Sequence, residues 1–323
     1  MKILIVGASG AIGTRLVPIL VGDGHEVVGT SRSPEKAERL RKLGAEPVLL
    51  DLLDEAAVGR AVGAVAPEVI VHEATALSNL GTNPRHFDDD FAVTNRLRTE
   101  GTDHLLAAAR ATGVRRFLAQ SFAGWPQARD GGPVLTEDAP FDPSPPRSAR
   151  QGMAAIRHLE AAVTGAEGLE GVVLRYGGFY GPGTSLTRDG EHTEAVRKGA
   201  FPIVGSGAGV WSFVHVDDAA SATAAAVVRG APGVYNVVDD EPAPVSEWLP
   251  YLAELLGAKP PRHVPAWIAR MAAGELGVAM MTTVRGASNA KAKRELGWEP
   301  RHPSWRQGFV EMLAEPVPTR RAA

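Results

Sequence analysis

Short apolar runs alternate along the chain with segments in which apolar residues recur every three or four positions. The apolar runs fall at 2–6, 25–30, 47–51, 69–74, 116–121 and 171–176. Runs of this length between turn residues predict buried strands, and the periodic segments between them predict amphipathic helices. Because strands and helices alternate, the pattern predicts an α/β fold with a doubly wound parallel sheet. No internal repeat is visible.

The stretch PRSARQGMAAIRHLE (146–160) has the period of a helix, since Met153, Ile156 and Leu159 share one face. Pro and Gly cluster over 124–146, which predicts a loop that covers another part of the molecule. The last third of the chain mixes helical segments with Pro-rich breaks. The sequence of residues 288–303 predicts a helix, then a turn, then a tail that packs onto the rest of the protein, which we call the docking tail.

Composition narrows the classes of function that need to be considered. The 323 residues are 44% apolar and 22% charged, with a formal net charge of −3 and no cysteine. The slightly negative net charge does not indicate a basic surface for binding nucleic acid. Because the chain has no cysteine, disulfides and thiolate metal sites are excluded. The N-terminal apolar run is too short for a signal peptide, and no stretch approaches the ~18 apolar residues of a membrane span. We therefore expect a soluble, cytoplasmic protein without nucleic-acid or membrane partners and without a metal.

A glycine pattern, GASGAIG, lies between the first predicted strand and the first predicted helix. Gly7 would allow a tight turn, Gly10 would let the backbone approach a pyrophosphate, and Gly13 would let the helix pack on the strand. The free amides of the helix start then face the anion. A glycine-rich turn without a ligand is the alternative, but the strand–loop–helix context favours a Rossmann dinucleotide site. We expect residues 1–178 to form a nucleotide-binding domain, to which about 212–240 also contribute. The remaining chain, 179–323, is expected to form mainly a smaller substrate-binding lobe and a lid.

The end of the second strand indicates which nucleotide binds. NAD enzymes usually carry a carboxylate there, whereas this chain has Thr30, Ser31 and Arg32. A guanidinium can pair with a 2′-phosphate, so NADP(H) is the expected cofactor, although a solvated arginine is the alternative. Asp51 could accept the adenine amino group, and the small residues after the fourth strand would let the backbone lie against the cofactor. The predicted cofactor-binding residues are Gly7, Ser9, Gly10, Ala11, Ile12, Gly13, Ser31, Arg32, Asp51, Leu52, Ala74, Thr75 and Ala76.

These segments together resemble the extended short-chain dehydrogenases/reductases of the NAD-dependent epimerase/dehydratase type. The resemblance is carried by GASGAIG, VHEATA (71–76), EGTDHLLAAAR (100–110), RRFLAQSFAGW (115–125), LRYGGFYGPG (174–183), FVHVDDAA (213–220) and KAKRELGWEP (291–300). They cover nearly the whole chain in the expected order. They are specific for the fold and cofactor class and weakly specific for the substrate.

The resemblance implies a catalytic Ser or Thr after the fifth strand and a Tyr-x-x-x-Lys pair on the next helix. Ser121 is in register for the first group. The pair is missing: its positions fall on Gly152 and Ile156 within one or two residues. None of the four tyrosines of the chain has a lysine four residues later.

Tyr176, after the sixth strand, is the candidate replacement for the missing acid, with a tyrosine packed beside the sheet as the alternative. Glu191 and His192 in the predicted lid are further acid/base candidates, although a solvated helix start is the simpler interpretation.

Two tryptophans suggest the kind of substrate. Trp211 stands where relatives that act on nucleotide sugars often have a phosphate-binding Arg, and Trp125 lies near the predicted cleft. An indole offers a broad apolar face and no charge for phosphate, which favours a flat apolar or aromatic metabolite. Trp211 could instead belong to the core. We expect Trp125, Gly152, Met153 and Trp211 to contact the small-molecule substrate, with Gly152 leaving a gap where a phenol usually stands.

The sequence thus predicts an NADP(H)-dependent oxidoreductase acting on a carbonyl or alcohol group, with Ser121 and Tyr176 as catalytic candidates. A redox-neutral epimerase, dehydratase or cyclase and a non-catalytic NADP(H) sensor are the alternatives. The resemblance also implies a homodimer, in which helices starting near Phe87 and Gln151 pair across a two-fold axis.

Overall fold

The structure is a computed structural model and describes residues 1–77 and 83–314. The first half of the chain contains β1 (Lys2–Val6), α1 (Gly13–Gly22), β2 (Glu26–Ser31), α2 (Pro34–Lys42), β3 (Glu46–Leu49), α3 (Glu55–Val65), β4 (Val69–His72), α4 (Phe87–Asp90), α5 (Ala92–Arg96), α6 (Thr102–Thr112), β5 (Arg116–Phe122), β6 (Val134–Leu135), α7 (Arg150–Thr164) and β7 (Glu170–Tyr176). A π-helical turn, Leu97–Gly101, joins α5 to α6.

The second half contains β8 (Gly178–Tyr180), α8 (Glu191–Arg197), β9 (Ile203–Val204), β10 (Val210–Trp211), β11 (Phe213–His215), α9 (Val216–Val228), β12 (Gly233–Val237), β13 (Ala243–Pro244), α10 (Val245–Leu255), β14 (His263–Val264), α11 (Ala266–Thr282), β15 (Gly286–Ala287), α12 (Ala290–Leu296) and α13 (Trp305–Ala314).

The predicted doubly wound sheet is confirmed. Seven strands pair in the order β12-β7-β5-β4-β1-β2-β3, all parallel. The order reverses between β1 and β4, and a doubly wound sheet binds its ligand at this switch point, beyond the carboxyl ends of the strands. The predicted strand over 69–74 ends at His72, so Glu73 and Ala74 already belong to the loop that leaves this edge.

Local capping explains where several helices begin. Ser33 precedes Pro34 and accepts a hydrogen bond from the amide of Lys36, which starts α2. Asp54 accepts one from the amide of Ala57 and starts α3. These caps follow β2 and β3 closely, so both connections leave the edge of the sheet where the cofactor is expected.

Two apolar layers hold the sheet. On one face, α1 and α9 bury Leu16, Val17 and Ala220 against β1 and β7. On the other face, α3, α6 and α7 bury Val62, Leu105 and Leu159. Because both faces are covered, the central strands are continuously apolar rather than alternating.

A smaller lobe follows the sheet and rests on aromatic packing around Phe213, Trp248 and Trp305. In this lobe α11 is kinked at Gly274, whose φ of 70° and ψ of −174° interrupt the helix. The docking tail is fixed by Asp218, which accepts the backbone amides of Arg301 and His302 at 2.8 and 2.9 Å. Among the described residues, no helix has the length and apolar character that crossing a membrane requires.

Candidate active site

The glycine loop has the close packing that its sequence predicts. Gly7 has a φ of +88°, and a Cβ there would lie 2.7 Å from the Cα of Ala74. A Cβ at Gly13 would lie 2.5 Å from the Cα of Ala8, whereas one at Gly10 would approach only the carbonyl oxygen of Gly7, at 3.2 Å. Gly7 and Gly13 are therefore required by the protein's own backbone, and Gly10 keeps the outer side of the loop clear.

The start of α1 provides hydrogen-bond donors for an anion. In the described part of the chain, the amides of Ala11 and Ile12 donate to no protein acceptor. Arg15, one turn into the helix, holds the carbonyl oxygens of Ala11 and Pro182 at 2.9 and 2.6 Å and pairs with Asp217. The loop is thus tied to the segment after β8, and its free amides fit a pyrophosphate.

The end of β2 offers one uncommitted cation. Thr30 accepts the amide of Gly7 at 3.2 Å, and Ser31 accepts the amide of Ser33 at 3.2 Å, so both hydroxyls support the loop. Arg32 is exposed and pairs with no carboxylate among the described residues. After β3, Asp51 is exposed and accepts the amide of Leu53, while Leu52 is buried.

The end of β4 is fixed from the helix behind it. The amide of Ala76 donates to Thr94 Oγ1 at 3.0 Å. His72 accepts the amide of Ala74 through Nδ1 at 3.3 Å, and its Nε2 lies 3.2 Å from the carbonyl oxygen of Leu97. Burial lowers the pKa of His72 to about 4, so the imidazole is neutral and acts as a brace between β4 and the π-helical turn.

Tyr176 does not reach the cleft. Its side chain is fully buried in the layer between the sheet and α9. Its hydroxyl lies 2.9 Å from Glu73 Oε1 and 2.6 Å from Thr223 Oγ1. Burial raises the pKa of this phenol well above 10, and Glu73 raises it further once its carboxyl group has lost its proton at alkaline pH. Tyr176 packs beside the sheet, which was the alternative interpretation, and this placement does not favour its predicted catalytic role.

Ser121 is likewise engaged in a buried network. Its hydroxyl donates to Glu160 Oε1 at 2.6 Å. The same carboxylate takes two hydrogen bonds from Arg175, at 2.9 and 2.7 Å, and both charged side chains are about 95% buried. The structure thus gives Ser121 a partner inside the protein, and its predicted role in proton transfer stays a prediction.

The start of α7 differs from the expected gap. Phe87 fills the space beside Gly152: a Cβ there would lie 3.0 Å from Phe87 Cε1. Asp88 accepts the amides of Gln151 and Gly152 at 2.9 and 2.8 Å. The expectation of an open gap at Gly152 is therefore wrong, because a phenylalanine from α4 stands there.

The neighbouring residues of α7 carry no chemistry either. Met153 is 2% and Ile156 is 1% exposed, so both face the interior. Sequence reasoning placed Phe87 at the start of a helix but did not identify Phe87 and Asp88 as neighbours of Gly152, because they lie about 65 positions earlier in the chain. The sequence FDDD was the available signal, since an acidic run beside a helix start is a capping pattern.

Aromatic rings surround this helix start. Phe87 stacks on Phe91 with the ring centroids 4.2 Å apart and meets Trp125 edge-on at 5.2 Å. Phe122 lies 6.4 Å from Trp125. We call Phe87, Phe91, Phe122 and Trp125 the aromatic cluster. It forms a wall on which a flat ring could pack.

Trp125 and Trp211 both contact the C-terminal half of α11. Trp125 lines a small cavity together with Leu276 and Met280 of α11. Trp211 donates its indole N–H to the carbonyl oxygen of Met280 at 2.8 Å and packs on Trp248 at 5.0 Å. Trp211 is thus partly a core residue, which was the alternative interpretation. In the segment predicted to form a lid, His192 Nδ1 lies 3.1 Å from Ser185 Oγ, at the start of α8.

One cluster of ionisable groups lies outside the cleft. His215, Asp218 and His302 have side-chain ligand atoms within 4.8 Å of one another. The two imidazoles stack at 3.9 Å, and Asp218 is engaged with the amides of the docking tail and with His302 Nδ1 at 2.8 Å. This cluster fastens the tail to α9.

Comparison with known proteins agrees with this geometry. The family described as the NAD dependent epimerase/dehydratase family matches residues 3–237. The chain is 47% identical to a 3-diazoavenalumate denitrifying reductase from a Streptomyces species, over 96% of this chain and 99% of the relative. It is 30% identical to a 2-alkyl-3-oxoalkanoate reductase of Stenotrophomonas maltophilia, over 80% and 76%. The structure of a UDP-glucose 4-epimerase from Thermus thermophilus in complex with NAD is similar with a TM-score of 0.71 and 26% identity, over 97% and 98%.

The chain therefore belongs to the NAD-dependent epimerase/dehydratase family, the extended short-chain dehydrogenases/reductases. The glycine loop of the chain fits the NAD(P)-type dinucleotide that this family is expected to bind.

Proposed function

We propose that the protein is an NADP(H)-dependent reductase that acts on a diazo group of an aromatic small molecule and releases dinitrogen. The observation that carries this proposal is the start of α7, where Gly152 is covered by Phe87 and Ile156 is buried. The resemblance predicts an acid–base pair at these two positions, and this chain has no ionisable group at either.

The missing pair favours an acceptor that needs no proton donor. Hydride addition to a carbonyl leaves an alkoxide, which an acid must protonate as it forms. A diazo group in its diazonium form already carries a positive charge and accepts a hydride directly. The half-buried rings of the aromatic cluster offer an apolar surface for the ring that bears this group. The name of the 47% identical relative, which specifies a diazo compound, a reductase and the loss of nitrogen, supports the same chemistry.

The residues that would hold the cofactor are those at the switch point of the sheet. Gly10 and the amides of Ala11 and Ile12 would bind the pyrophosphate, and Arg32 would pair with the 2′-phosphate. When bound, NADPH supplies a hydride, so that an arenediazonium ion plus hydride gives the arene plus N2. The aromatic cluster and α11 would orient the ring and exclude water, with Trp125, Met153 and Trp211 as the proposed contacts.

Cofactor choice is tested by titration. Arg32→Ala should weaken NADPH binding about 10–100-fold, as expected for loss of a charge-assisted pair, and leave NADH binding unchanged. Arg39→Ala, an exposed arginine further along α2, is the matched control. Equal affinity of the wild type for NADPH and NADH would contradict the NADP(H) proposal.

The reaction is tested with 3-diazo-4-hydroxybenzoate carrying ¹⁵N at both diazo positions. We expect enzyme-dependent release of doubly labelled N2, with one NADPH oxidised per N2 and 4-hydroxybenzoate as the product. The same mixture without enzyme, and with enzyme plus NADP⁺ alone, are the controls. NADPH oxidation without labelled N2 would contradict the proposal.

Carbonyl reduction is the second candidate, because ketoreductases are also among the relatives, at 29% and 30% identity. A parallel assay with 3-acetyl-4-hydroxybenzoate separates the two candidates. NADPH oxidation with the ketone and not with the diazo compound would support carbonyl reduction.

Two other outcomes would point to the remaining alternatives. Conversion of a substrate without net NADPH use would indicate an epimerase or dehydratase, and nucleotide binding without any turnover would indicate a sensor.

A further inference from the structure

Arg98 is a buried cation without a counter-charge. It lies in the π-helical turn Leu97–Gly101, and only 6% of the residue is exposed. Its Nη1 is buried and has no hydrogen-bond partner, and the guanidinium forms no ion pair with any residue that the structure describes. Burial lowers the pKa of Arg98 only to about 10, so it stays charged near neutral pH.

The other buried arginines show what such a group normally requires. Arg175 forms a bidentate ion pair with Glu160 and also donates to the carbonyl oxygen of Glu137 at 3.0 Å. Arg116 pairs with Glu170 at 2.9 Å and holds the carbonyl oxygens of Ala226 and Gly230 at 2.8 and 2.9 Å. An uncompensated buried charge is strongly destabilising. Arg98 therefore differs from both in lacking the partner that would offset its burial.

The neighbours of Arg98 are also unsatisfied. Both polar atoms of the Asn95 side chain are buried and have no hydrogen-bond partner among the described residues. The hydroxyl of Thr102 is also buried without a partner. The three residues are spaced three and four apart, which puts them on the same side of the helical segment. Buried polar groups are normally hydrogen-bonded, so several orphans next to one cation point to a ligand. A π-helical turn, which is frequent at functional sites, is consistent with this.

The position of Arg98 connects it with the cleft. Its guanidinium carbon lies 5.9 Å from the centroid of Phe91, the ring that stacks on Phe87 of the aromatic cluster. The preceding residue, Leu97, is bonded to His72 at the end of β4, and Thr94 anchors Ala76. α7 packs against the same π-helical turn. The guanidinium of Arg98 thus lies beside one ring of the aromatic cluster, and its neighbours in sequence, Leu97 and Thr94, contact the strand end where the cofactor is expected.

We infer that Arg98 binds an anionic oxygen of the substrate, so that the substrate is an aromatic molecule carrying a phenolate or a carboxylate. The inference rests on the proposed function for the location of the substrate, and it deepens that proposal by adding a charged recognition group. A guanidinium binds such an oxygen through parallel N–H donors, and Phe91 beside it would pack on the ring.

This contact also has a consequence for reactivity. When the anionic oxygen is on the ring carbon next to the diazo group, the molecule can be written as a neutral diazo ketone or as a phenolate with a diazonium. Hydrogen bonds from Arg98 favour the charge-separated form, whose diazonium group is the stronger hydride acceptor. The hydride forms an N–H bond at the terminal nitrogen and gives an aryldiazene. The proton of that N–H then passes to the ring carbon as the C–N bond breaks and N2 leaves. Arg98 keeps its own protons throughout, and no bond to it forms or breaks.

Binding of three nitroarenes to the NADP⁺-loaded protein tests the inference without requiring turnover. In mildly alkaline buffer, 4-hydroxy-3-nitrobenzamide presents a phenolate, 3-nitrobenzoate presents a carboxylate, and 3-nitrobenzamide is neutral. We expect the wild type to bind one of the anions more tightly than the neutral probe. Arg98→Met should weaken binding of that anion by about 10–100-fold, as expected for loss of a charge-assisted contact. The affinity of the variant for the neutral probe should stay within about twofold of the wild-type value. The anion that loses affinity identifies the oxygen.

Arg96→Met is the matched control, because Arg96 lies two residues away on the exposed side and pairs with Glu100. It should leave all three affinities unchanged. Equal binding of the three probes by the wild type, equal losses in Arg98→Met, or a loss of NADP⁺ affinity instead would overturn the inference. If Arg98→Met does not fold, Arg98→Gln decides by the same comparison, and failure of both to fold would make Arg98 structural. Because these probes are not reduced, a negative diazo assay leaves this test intact.

Discussion

Glu73 is held uncharged inside the protein, and this makes the stability depend on pH. The side chain is 6% exposed, its Oε1 accepts from Tyr176, and its Oε2 has no partner among the described residues. Burial raises the pKa of the carboxyl group to about 8. Between the ordinary pKa near 4.5 and this value, the folded state keeps a proton that the unfolded state has lost, so stability falls as the pH rises through this window.

Glu73→Gln should abolish that penalty. Gln keeps the oxygen that Tyr176 contacts and never ionises. We expect the variant to match the wild type near pH 4.5 and to gain relative stability as the pH rises to 8, by about 1 kcal/mol per pH unit. Urea unfolding across this range measures the difference. A difference that does not vary with pH would mean that Glu73 titrates at its ordinary pKa.

Ser121→Ala separates a structural from a catalytic hydroxyl. Because Ser121 donates to a carboxylate that Arg175 already neutralises, we expect a loss of about 1–2 kcal/mol of stability. The resemblance also implies a role for this hydroxyl in the reaction, and on that prediction turnover falls by about 10–1000-fold at a temperature well below the unfolding transition, the range expected for loss of one positioned hydrogen bond. Turnover within about threefold of the wild type would instead make the hydroxyl purely structural.

Individual residues were predicted well where the backbone alone dictates their type. Gly7 and Gly13 have close backbone neighbours that leave no room for a side chain, so their identity is visible in sequence. Tyr176 was harder, because the sequence places it at the edge of the sheet but does not reveal which face it enters. Arg98 was missed, because neither the π-helical turn nor the lack of a partner can be read from neighbouring residues.

The start of α7 is capped by a different helix. Ala149 at its N-cap offers no side-chain acceptor, and Asp88 supplies both oxygens from α4. The same carboxylate lies at the positive end of the helix dipole. α4 and α7 are therefore coupled through one side chain.

Asp88→Ala should cost about 1–2 kcal/mol, the usual effect of losing an N-cap. Since Phe87 precedes Asp88, the variant should also loosen the aromatic cluster and raise the KM for an aromatic substrate. Asp89→Ala is the control, because that side chain is 86% exposed and its oxygen lies 3.8 Å from His86 Nδ1, beyond hydrogen-bond distance. Unfolding free energies that are equal in the two variants would contradict the capping role.

The helices and strands of the nucleotide-binding part follow the hydrophobic pattern, and six of the seven sheet strands were predicted within about two residues. The hydrophobic pattern predicted the elements least well where their packing partners are distant in sequence. β12 joins the sheet after the chain has left it for more than 50 residues. In α11, the kink at Gly274 lies beside Arg85, about 190 positions earlier in the chain, and no local period encodes that neighbour.

For the whole molecule we propose a homodimer formed by the outer side of α7. Ala154 and Ala161 are exposed there, next to His158, which pairs with Asp103. Small side chains let two helices approach closely across a two-fold axis. Light scattering should give about twice the 34.0 kDa chain mass at micromolar concentration.

Ala161→Arg should convert that dimer to a monomer, since it adds bulk and like charges at the axis. Lys259→Arg, a conservative change in the C-terminal lobe, is the control. A wild-type mass near that of one chain would contradict the dimer, and a dimer that survives Ala161→Arg would place the contact elsewhere.

The contact between Phe87 and Gly152 constrains how this protein could have diverged from relatives with an acid at that position. A side chain at 152 collides with the Phe87 ring, so reacquiring tyrosine there is unfavourable while the ring is present. Shrinking Phe87 first would open a hole beside α7 and weaken the stack with Phe91. Each single step is thus disfavoured and the double change restores the packing, so positions 87 and 152 are expected to change together rather than one at a time.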